Sequence, residues 1–122
     1  MKAIVIDDSR AMRLILGRIL KEVGFDSIVE AGHGREALER MAGTPPPELM
    51  LVDWNMPEMN GLDLVKAVRA DEAYSAARIM MVTTEAELVR VAEALVAGAD
   101  DYVMKPFAKD DIVDKLRAMG LA

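Results

Sequence analysis

Short apolar runs alternate along the chain with longer segments in which apolar residues recur three and four positions apart. The apolar runs predict five strands, at residues 3–6, 27–31, 49–53, 79–83 and 102–104. The longer segments predict five helices, at residues 10–23, 34–41, 61–70, 85–97 and 109–119. Nearly continuous apolar strands that alternate with helices are typical of a parallel sheet covered on both faces. The pattern therefore predicts an α/β fold in a single domain, residues 1–122.

Local signals agree with several of these boundaries. Ser9 precedes the first helix and is a residue type favoured at N-caps, while Gly24 and Gly98 follow the first and fourth helices as stops. Three consecutive prolines at residues 45–47 are incompatible with a helix interior or a central strand. The segment before the third strand is therefore expected to be a stiff loop.

Four of the strands lead directly into polar or charged residues. Asp7 and Asp8 follow the first strand, Asp53 ends the third, Thr83 ends the fourth and Lys105 follows the fifth. In an open α/β sheet, ligands bind at the carboxyl ends of the strands. These side chains are far apart in sequence, but we expect them to converge at one edge of the sheet.

The side-chain types at this edge indicate phosphoryl chemistry. Three carboxylates held close together repel one another, and a divalent cation relieves the repulsion. Mg²⁺ suits such a site because it binds through one or two carboxylates together with water and phosphate oxygens. A lysine ammonium and a threonine hydroxyl would contact the other phosphoryl oxygens. One carboxylate then remains free to act as a nucleophile and form an aspartyl-phosphate.

The residues after the third strand favour Asp53 as that nucleophile. The apolar run LMLV leads into Asp53 and is followed by WNMPEMNG, in which Pro57 and Gly61 predict a turn and the start of the next helix. Such a break would hold Asp53 at the end of the strand, where a phosphoryl group can reach it. It would also let the backbone carbonyl of Asn55 face the metal.

The composition excludes several other classes of protein. There are 15 Lys and Arg residues against 21 Asp and Glu, a net charge of −6, so the domain has no basic excess for binding nucleic acid. The absence of cysteine and the single histidine exclude disulfides, thiolate zinc sites and histidine-rich metal sites. No segment reaches the ~18 apolar residues of a membrane span, and no signal-peptide pattern is present. We therefore expect a cytoplasmic protein without a membrane partner.

Four stretches, in order along the chain, resemble a known family. IVIDDS, LVDWNMPEMNGLDL, IMMVTTEA and AGADDYVMKPF are similar to the receiver domains of two-component response regulators, and particularly to their chemotaxis branch. Each stretch alone is weak, whereas the ordered set is specific and spans nearly the whole chain. The resemblance implies a doubly wound five-stranded parallel sheet with five helices, in the flavodoxin-like order 2-1-3-4-5.

The resemblance also implies a role for each residue of the predicted site. Asp53 would accept the phosphoryl group and would bind Mg²⁺, which Mn²⁺ can replace. Asp8 would bind the metal directly, Asp7 would hold a metal-bound water, and Asn55 would contribute its backbone carbonyl. Lys105 would pair with the phosphoryl group.

A second set of residues would carry the signal away from Asp53. Thr83 would hydrogen-bond the phosphoryl group and shift on activation, and the ring of Tyr102 would then turn inward. Pro106 would follow a cis peptide bond. The fourth helix is apolar on more than one face, which predicts either a wide core stripe or a surface for a partner. The candidate partner face consists of Leu88, Val91, Leu95 and Tyr102.

The function implied by the resemblance is a phosphorylation-dependent switch in protein binding. A histidine kinase, a phosphotransfer protein or a small acyl phosphate would supply the phosphoryl group, and a phosphatase is a further candidate partner. The output partner would be a protein, with the flagellar motor switch as the target that the family favours. The chain would catalyse only its own phosphorylation and dephosphorylation, so it is not expected to be an enzyme with a separate substrate.

Three alternatives share the aspartyl-phosphate chemistry. The chain could be a phosphorelay intermediate that passes the phosphoryl group to another histidine protein, or a receiver domain cut from a longer regulator. It could also be a phosphohydrolase of the haloacid-dehalogenase type. That class uses a second aspartate two residues after the nucleophile as its acid and base, whereas Asn55 occupies this position.

Two ring side chains near these motifs are given no chemical role. Trp54 follows Asp53 and is expected to be a partly buried loop residue whose fluorescence could report metal binding. His33 is not needed as a phosphodonor, because that histidine belongs to the partner kinase.

Overall fold

The computed structural model describes residues 1–54 and 56–122, which form one five-stranded sheet covered by helices. All neighbouring strands pair in parallel, and their order is β2-β1-β3-β4-β5. This arrangement confirms the predicted fold class and the strand order implied by the family resemblance. The strands are β1 Lys2–Ile6, β2 Ser27–Ala31, β3 Leu49–Asp53, β4 Arg78–Thr84 and β5 Asp101–Lys105.

Five α-helices connect and follow these strands. The predicted cap at Ser9 is confirmed, since its hydroxyl accepts a hydrogen bond from the backbone N–H of Met12. Gly24 ends the first helix with a φ of 124°, and its N–H donates to the carbonyl of Leu20. The helices are α1 Arg10–Val23, α2 Gly34–Met41, α3 Gly61–Arg69, α4 Val91–Ala97 and α5 Lys109–Ala118.

Alternate residues of the central strands point to opposite faces of the sheet and build two apolar layers. One layer joins the sheet to α1 and α5, and its members include Val5, Leu51, Met80, Leu20 and Leu116. The other layer joins the sheet to α2, α3 and α4, and its members include Ile6, Val52, Met81, Val65 and Ala94. Because both faces are covered, the three central strands β1, β3 and β4 are buried along most of their length, as their continuous apolar runs predict, whereas the edge strands β2 and β5 are only partly buried.

The fourth helical segment differs from the prediction. Residues Glu85–Arg90 form a 3₁₀ helix, and the α-helix begins only at Val91. The Glu87 carboxylate accepts hydrogen bonds from both the N–H and the hydroxyl of Thr84, which holds the chain in a tight turn at the start of the segment. Apolar spacing does not distinguish an α-helix that begins at Glu85 from a 3₁₀ turn followed by a shorter α-helix.

The strands and one loop also contain more regular structure than their side-chain pattern indicates. β4 runs from Arg78 to Thr84 and β5 ends at Lys105, so each extends beyond its predicted apolar run. Ladder hydrogen bonds use backbone groups, so a strand continues past its last apolar side chain wherever a neighbour is in register. A 3₁₀ turn at Glu72–Tyr74 was not predicted, and it begins where the Asp71 carboxylate accepts from the N–H of Ala73.

Strand register brings the polar strand ends to one edge of the sheet. Ile6 pairs with Val52, so Asp7 lies beside the position of Asp53 on the neighbouring strand. Asp53 pairs in turn with Val82, one residue before Thr83. The last strand continues this edge, with Lys105 opposite the final residue of β4.

Arg69, the last residue of α3, fastens this helix to two other parts of the chain. Its guanidinium donates to the backbone carbonyls of Tyr74 and Ala77, at 2.9 and 2.7 Å. It also donates to the carbonyl of Gly98 at 2.9 Å and lies 3.1 Å from the Asp100 carboxylate. A Cβ on Gly98 would lie 2.5 Å from Arg69 Cγ, so the glycine leaves room for this side chain.

Among the described helices, none combines the length and the apolar character that crossing a bilayer requires.

Replacing the guanidinium of Arg69 should destabilise the fold. Arg69→Ala removes the guanidinium from three partly buried carbonyls, of which only that of Tyr74 keeps another donor among the residues that the structure describes, the N–H of Ala77, so we expect the free energy of unfolding to fall by roughly 2–4 kcal/mol. Urea unfolding followed by circular dichroism measures the change. Arg40→Ala is the matched control, because Arg40 is exposed and its ion pair within the described residues is the i,i+4 pair with Glu36. Equal losses in the two variants would contradict the structural role assigned to Arg69.

Candidate functional site

Three carboxylates meet at the carboxyl edge of the sheet, as the strand-end pattern predicts. Asp53 ends β3 and is 6% exposed, and Asp7 follows β1 and is 1% exposed. Asp8 is exposed to solvent. Each of the three offers a carboxylate oxygen, and these oxygens all lie within 4.8 Å of one another. The cluster therefore opens to solvent on the side of Asp8 and is closed on the side of the sheet.

Lys105 supplies the positive charge of the site. Its Nζ lies 3.1 Å from Asp53 Oδ1 and 3.4 Å from Asp7 Oδ2, so one ammonium pairs with both buried carboxylates. The side chain comes from the end of β5, on the far side of β4 from Asp53. The predicted convergence of these four side chains is confirmed, while their chemical roles remain predictions.

The orientation of Asp7 is fixed from several directions. Its second carboxylate oxygen accepts the backbone N–H of Ser9 at 2.9 Å. Its carbonyl oxygen accepts from Arg13 Nη1 at 2.7 Å, and Arg13 is itself paired with Glu30 at 3.0 Å. The sequence analysis missed Arg13. An arginine on the polar side of an amphipathic helix is usually solvated, and nothing in the sequence indicates that this one bonds to the carbonyl of Asp7.

The electrostatics of the cluster favour proton uptake by Asp53. Burial and the neighbouring charge of Asp7 raise the pKa of Asp53 from 3.8 to about 6, although Lys105 opposes this rise. Burial alone would lower the pKa of Lys105, but the charges of Asp53 and Asp7 raise it. The lysine therefore stays protonated, and the excess of negative charge in the cluster is only partly neutralised.

This donor set fits a small divalent cation with a preference for oxygen. The three ligand atoms are all carboxylate oxygens, and one of them belongs to the solvent-exposed Asp8, where bound water can complete the coordination. A cation would also remove the repulsion that raises the pKa of Asp53. Asn55, which the family resemblance assigns as a further ligand, lies outside the described residues.

The turn after Asp53 depends on a glycine. The N–H of Gly61 donates to the carbonyl of Trp54 at 2.9 Å, which closes the loop between β3 and α3. A Cβ on Gly61 would lie 2.7 Å from the carbonyl oxygen of Asp53, so a larger residue would push α3 away from the end of β3. The glycine thus brings the start of α3 directly against the backbone of the predicted nucleophile.

Trp54 is more deeply buried than expected for a loop residue. Its side chain belongs to the apolar layer beneath α3 and α4, and the guanidinium of Arg90 lies 5.2 Å from its ring centroid. The prediction of partial burial was wrong because it took no account of these two neighbours. Trp54 consequently connects the residue next to Asp53 with the start of α4.

The predicted switch residues lie on β4, which is next to β3, and on β5, the strand beyond it. Thr83 is fully buried at the end of β4, and its hydroxyl donates to the carbonyl of Thr84 at 3.3 Å. Tyr102 is half-buried on β5, with Lys115 Nζ 5.1 Å from its ring centroid. The cis peptide bond expected before Pro106 is confirmed.

One member of the candidate partner face is buried. Leu88 and Leu95 are exposed, at 36% and 40%, but Val91 is 5% exposed and cannot contact a partner. The assignment of Val91 was wrong because the preceding 3₁₀ segment has about 3.0 residues per turn, against about 3.6 in an α-helix, and this difference rotates later residues around the axis. Val89 and Val96, at 85% and 90%, are more exposed than either of these leucines.

The fold and the acidic site together define a class of protein, and comparison with known families identifies it. A family model for the response regulator receiver domain matches residues 3–117. The chain belongs to this family, which serves two-component signalling systems. It is similar in particular to chemotaxis response regulators of the CheY type.

Curated relatives resemble the chain over nearly its full length. The chemotaxis protein CheY1 of Helicobacter pylori strain J99 is 44% identical over 119 residues, which cover 98% of this chain and 96% of the relative. A chemotaxis protein CheY homolog of Campylobacter jejuni is 45% identical over 116 residues, or 95% of this chain and 89% of the relative.

Solved structures share the fold. The chemotaxis response regulator CheY4 of Vibrio cholerae has a TM-score of 0.87 and 32% identity, with 96% of each chain covered. A probable two-component response regulator/GGDEF domain protein has a TM-score of 0.88 and 29% identity, but the match covers 97% of this chain and only 48% of that one. The same fold therefore occurs in small regulators and as part of longer ones.

The raised pKa of Asp53 has a consequence for stability. Because the folded-state pKa of about 6 exceeds the unfolded value of 3.8, ionising Asp53 costs stability as the pH rises through this interval. Without metal, Asp53→Asn should therefore be more stable than wild type by roughly 1–3 kcal/mol near pH 7. The difference should disappear only at about pH 2.5, below both pKa values, where the carboxyl is largely protonated in both states.

Urea unfolding in EDTA at the two pH values measures this difference. Asp71→Asn serves as the control, since Asp71 is exposed and asparagine can also accept the hydrogen bond from Ala73. Adding Mg²⁺ should stabilise wild type more than Asp53→Asn. If Asp53→Asn is instead the less stable protein at neutral pH, pairing with Lys105 outweighs the cost of burying the charge.

Proposed function

We propose that residues 1–122 form a single receiver domain that accepts a phosphoryl group on Asp53 and thereby switches its binding to another protein. The supporting observation is the position of Asp53, buried at the end of β3, 3.1 Å from Lys105 and within a cluster of three carboxylates. The donor is a histidine kinase, a phosphotransfer protein or a small acyl phosphate. A kinase that uses ATP works in the cytoplasm, so the proposal includes that location.

The transfer itself is a displacement at phosphorus. A carboxylate oxygen of Asp53 attacks the phosphorus and forms an O–P bond, while the bond from phosphorus to the donor breaks. With phosphohistidine, the imidazole nitrogen keeps the electron pair and takes a proton. Asp53 must be ionised to attack, so a cation that removes the repulsion from Asp7 favours the reactive form.

Other residues of the site bind the phosphoryl oxygens. The Lys105 ammonium lies next to Asp53 and can move from the carboxylate to an incoming oxygen. Thr83 lies at the same edge and offers a hydroxyl donor. Mg²⁺, held by Asp8, Asp53, a water on Asp7 and the carbonyl of Asn55, would supply the further positive charge that phosphoryl transfer needs.

The acyl phosphate is then lost by hydrolysis, with or without a partner phosphatase. Water attacks the phosphorus, inorganic phosphate leaves, and the Asp53 carboxylate is restored. The chain thus returns to its starting state without turning over a separate substrate. Membership of the receiver family favours this cycle over a haloacid-dehalogenase-type phosphohydrolase, which would release phosphate steadily from small esters.

The output of the switch is protein binding, and chemotaxis is the favoured process. The relatives named above are chemotaxis proteins, and the flagellar motor switch is the candidate target on that basis. Leu88 and Leu95 are exposed and Tyr102 is half-buried, so each of the three is accessible to a partner. A phosphorelay intermediate or a receiver within a longer regulator would share the site, and the regulator/GGDEF relative shows that such receivers exist.

Labelling tests the proposed acceptor. Wild type incubated with radiolabelled acetyl phosphate and Mg²⁺ should acquire label that alkali and hydroxylamine release, as expected of an acyl phosphate, and EDTA should prevent the labelling. Asp53→Asn should remain unlabelled, because the amide is neither anionic nor nucleophilic. Asp71→Asn is the control and should be labelled like wild type. Stoichiometric label on Asp53→Asn would eliminate Asp53 as the acceptor, and steady release of phosphate from small esters would favour a hydrolase.

Fluorine NMR tests the switch directly, because the chain has only two tyrosines. In protein labelled with fluorotyrosine, beryllofluoride, which mimics the phosphoryl group, should shift the Tyr102 resonance and leave that of Tyr74 unchanged. Thr83→Ala removes the hydroxyl that would bond to the phosphoryl group, so the Tyr102 shift should be largely lost. Thr44→Ala, on the far side of the fold, is the control. An undiminished shift in Thr83→Ala would show that the signal leaves by another route.

A further inference from the structure

His33 occupies the N-cap position of α2 and has a defined orientation. Its Nδ1 accepts a hydrogen bond from the backbone N–H of Glu36 at 3.2 Å. A neutral imidazole has one accepting and one donating nitrogen, so this cap places the proton on Nε2. The ring is thereby held with its N–H pointing away from the helix.

The donating nitrogen faces a different part of the chain. His33 Nε2 lies 3.2 Å from Glu58 Oε2, in the loop between Asp53 and α3. The histidine side chain is partly buried, whereas the glutamate is more exposed. His33 therefore joins the start of α2 to the loop that follows the proposed phosphoacceptor.

Glu58 sits in a backbone conformation that non-glycine residues rarely adopt. Its φ is 65°, and the N–H of Met59 donates to the carbonyl of Pro57 at 2.7 Å. These two features define a γ-turn centred on Glu58, a rare and strained type. Such strain persists only where surrounding contacts hold it, and the bond to His33 is one such contact.

Met59 adds a second contact between the same two segments. A Cβ placed on Gly34 would lie 2.9 Å from Met59 Sδ, so the glycine at the start of α2 is covered closely by this side chain. Neighbouring residues of α2, His33 and Gly34, thus meet neighbouring residues of the loop, Glu58 and Met59. The tip of the loop is fixed to α2, just as its base is fixed by the bond between Trp54 and Gly61.

We propose that His33 is a positioning residue for the phosphorylation site. Through Glu58 it holds the γ-turn, and the γ-turn limits the conformations of residues 56–60, which lead to α3. In the proposed function a metal binds at Asp53, close to these residues in the chain, so loosening the γ-turn should weaken metal binding. This inference rests on the proposed function only for its effect on metal binding. The anchoring of the loop can be tested independently.

Hydrogen exchange measures the anchoring itself. His33→Asn keeps an acceptor for the cap of α2 but loses the reach to Glu58. It should raise exchange at the Met59 amide by about two- to tenfold, the range expected for loss of one hydrogen bond. Glu58→Ala should do the same, whereas Glu58→Gln keeps an acceptor for Nε2–H and should stay near wild type. Exchange in the middle of α2 should not change in any of the three variants.

A Mg²⁺ titration followed by Trp54 fluorescence measures the consequence. His33→Asn and Glu58→Ala should each weaken apparent Mg²⁺ affinity by about two- to tenfold, and the double variant should be no weaker than either single one. Glu58→Gln should bind Mg²⁺ like wild type. If Glu58 acted only through its negative charge, this variant would bind Mg²⁺ as weakly as Glu58→Ala. Unfolding midpoints should stay close to that of wild type, because the helix cap is retained.

The outcomes separate this inference from the proposed function. Unchanged Met59 exchange in His33→Asn would overturn the anchoring role, whatever the site does. Additive losses of Mg²⁺ affinity in the double variant, or a loss in Glu58→Gln equal to that in Glu58→Ala, would overturn the action of His33 through Glu58. If wild type neither binds Mg²⁺ nor takes up label, the proposed function fails, and the exchange data still decide whether His33 anchors the loop.

Discussion

The contact between the Lys105 ammonium and the buried Asp53 carboxylate is the interaction on which the site depends. Lys105 comes from β5 and Asp53 from β3, and the same ammonium lies 3.4 Å from Asp7. A carboxylate buried without a partner costs several kcal/mol (about 3–5 when one member of a buried pair is removed), so a cation has to reach it. Because β4 lies between β3 and β5, the lysine must cross the end of β4, where Thr83 lies. One ion-pair network thus connects the ends of β1, β3 and β5, and it crosses the end of β4.

The apolar pattern predicts that these side chains converge, but it does not predict the order of the strands. Strands that are apolar throughout must be covered on both faces, and the carboxyl ends of parallel strands meet at one edge, so Asp7, Asp53 and Lys105 are expected to converge. The pattern alone does not fix which strands are neighbours. That information came from the family resemblance, and the order it implied is the one that brings β1 beside β3. The separations of 3.1 and 3.4 Å depend on rotamers that the sequence does not specify.

What the sequence could not predict falls into two physical kinds. The first is the direction in which the side chains of a helix point. The 3₁₀ segment Glu85–Arg90 changes the rotation per residue, so Val91 faces the core while Val96 faces solvent. The second is contact between polar residues far apart in the chain, as between Arg69 and Gly98 or His33 and Glu58. Hydrophobic periodicity indicates which face of a helix or strand is buried. It does not predict these polar contacts, because the two partners of each contact belong to different elements.

The neighbours of Asp53 connect the site to two different surfaces. Trp54 follows Asp53 directly and lies under the guanidinium of Arg90, the last residue before α4. In the other direction, the loop that begins at Trp54 is tied at its tip to the start of α2 through Glu58. A regular strand such as β3 is held by ladder bonds on both sides, so it yields less readily than a 3₁₀ segment or a γ-turn. Added charge on Asp53 is therefore expected to move the irregular segments first, and these segments border α4 on one side and α2 on the other.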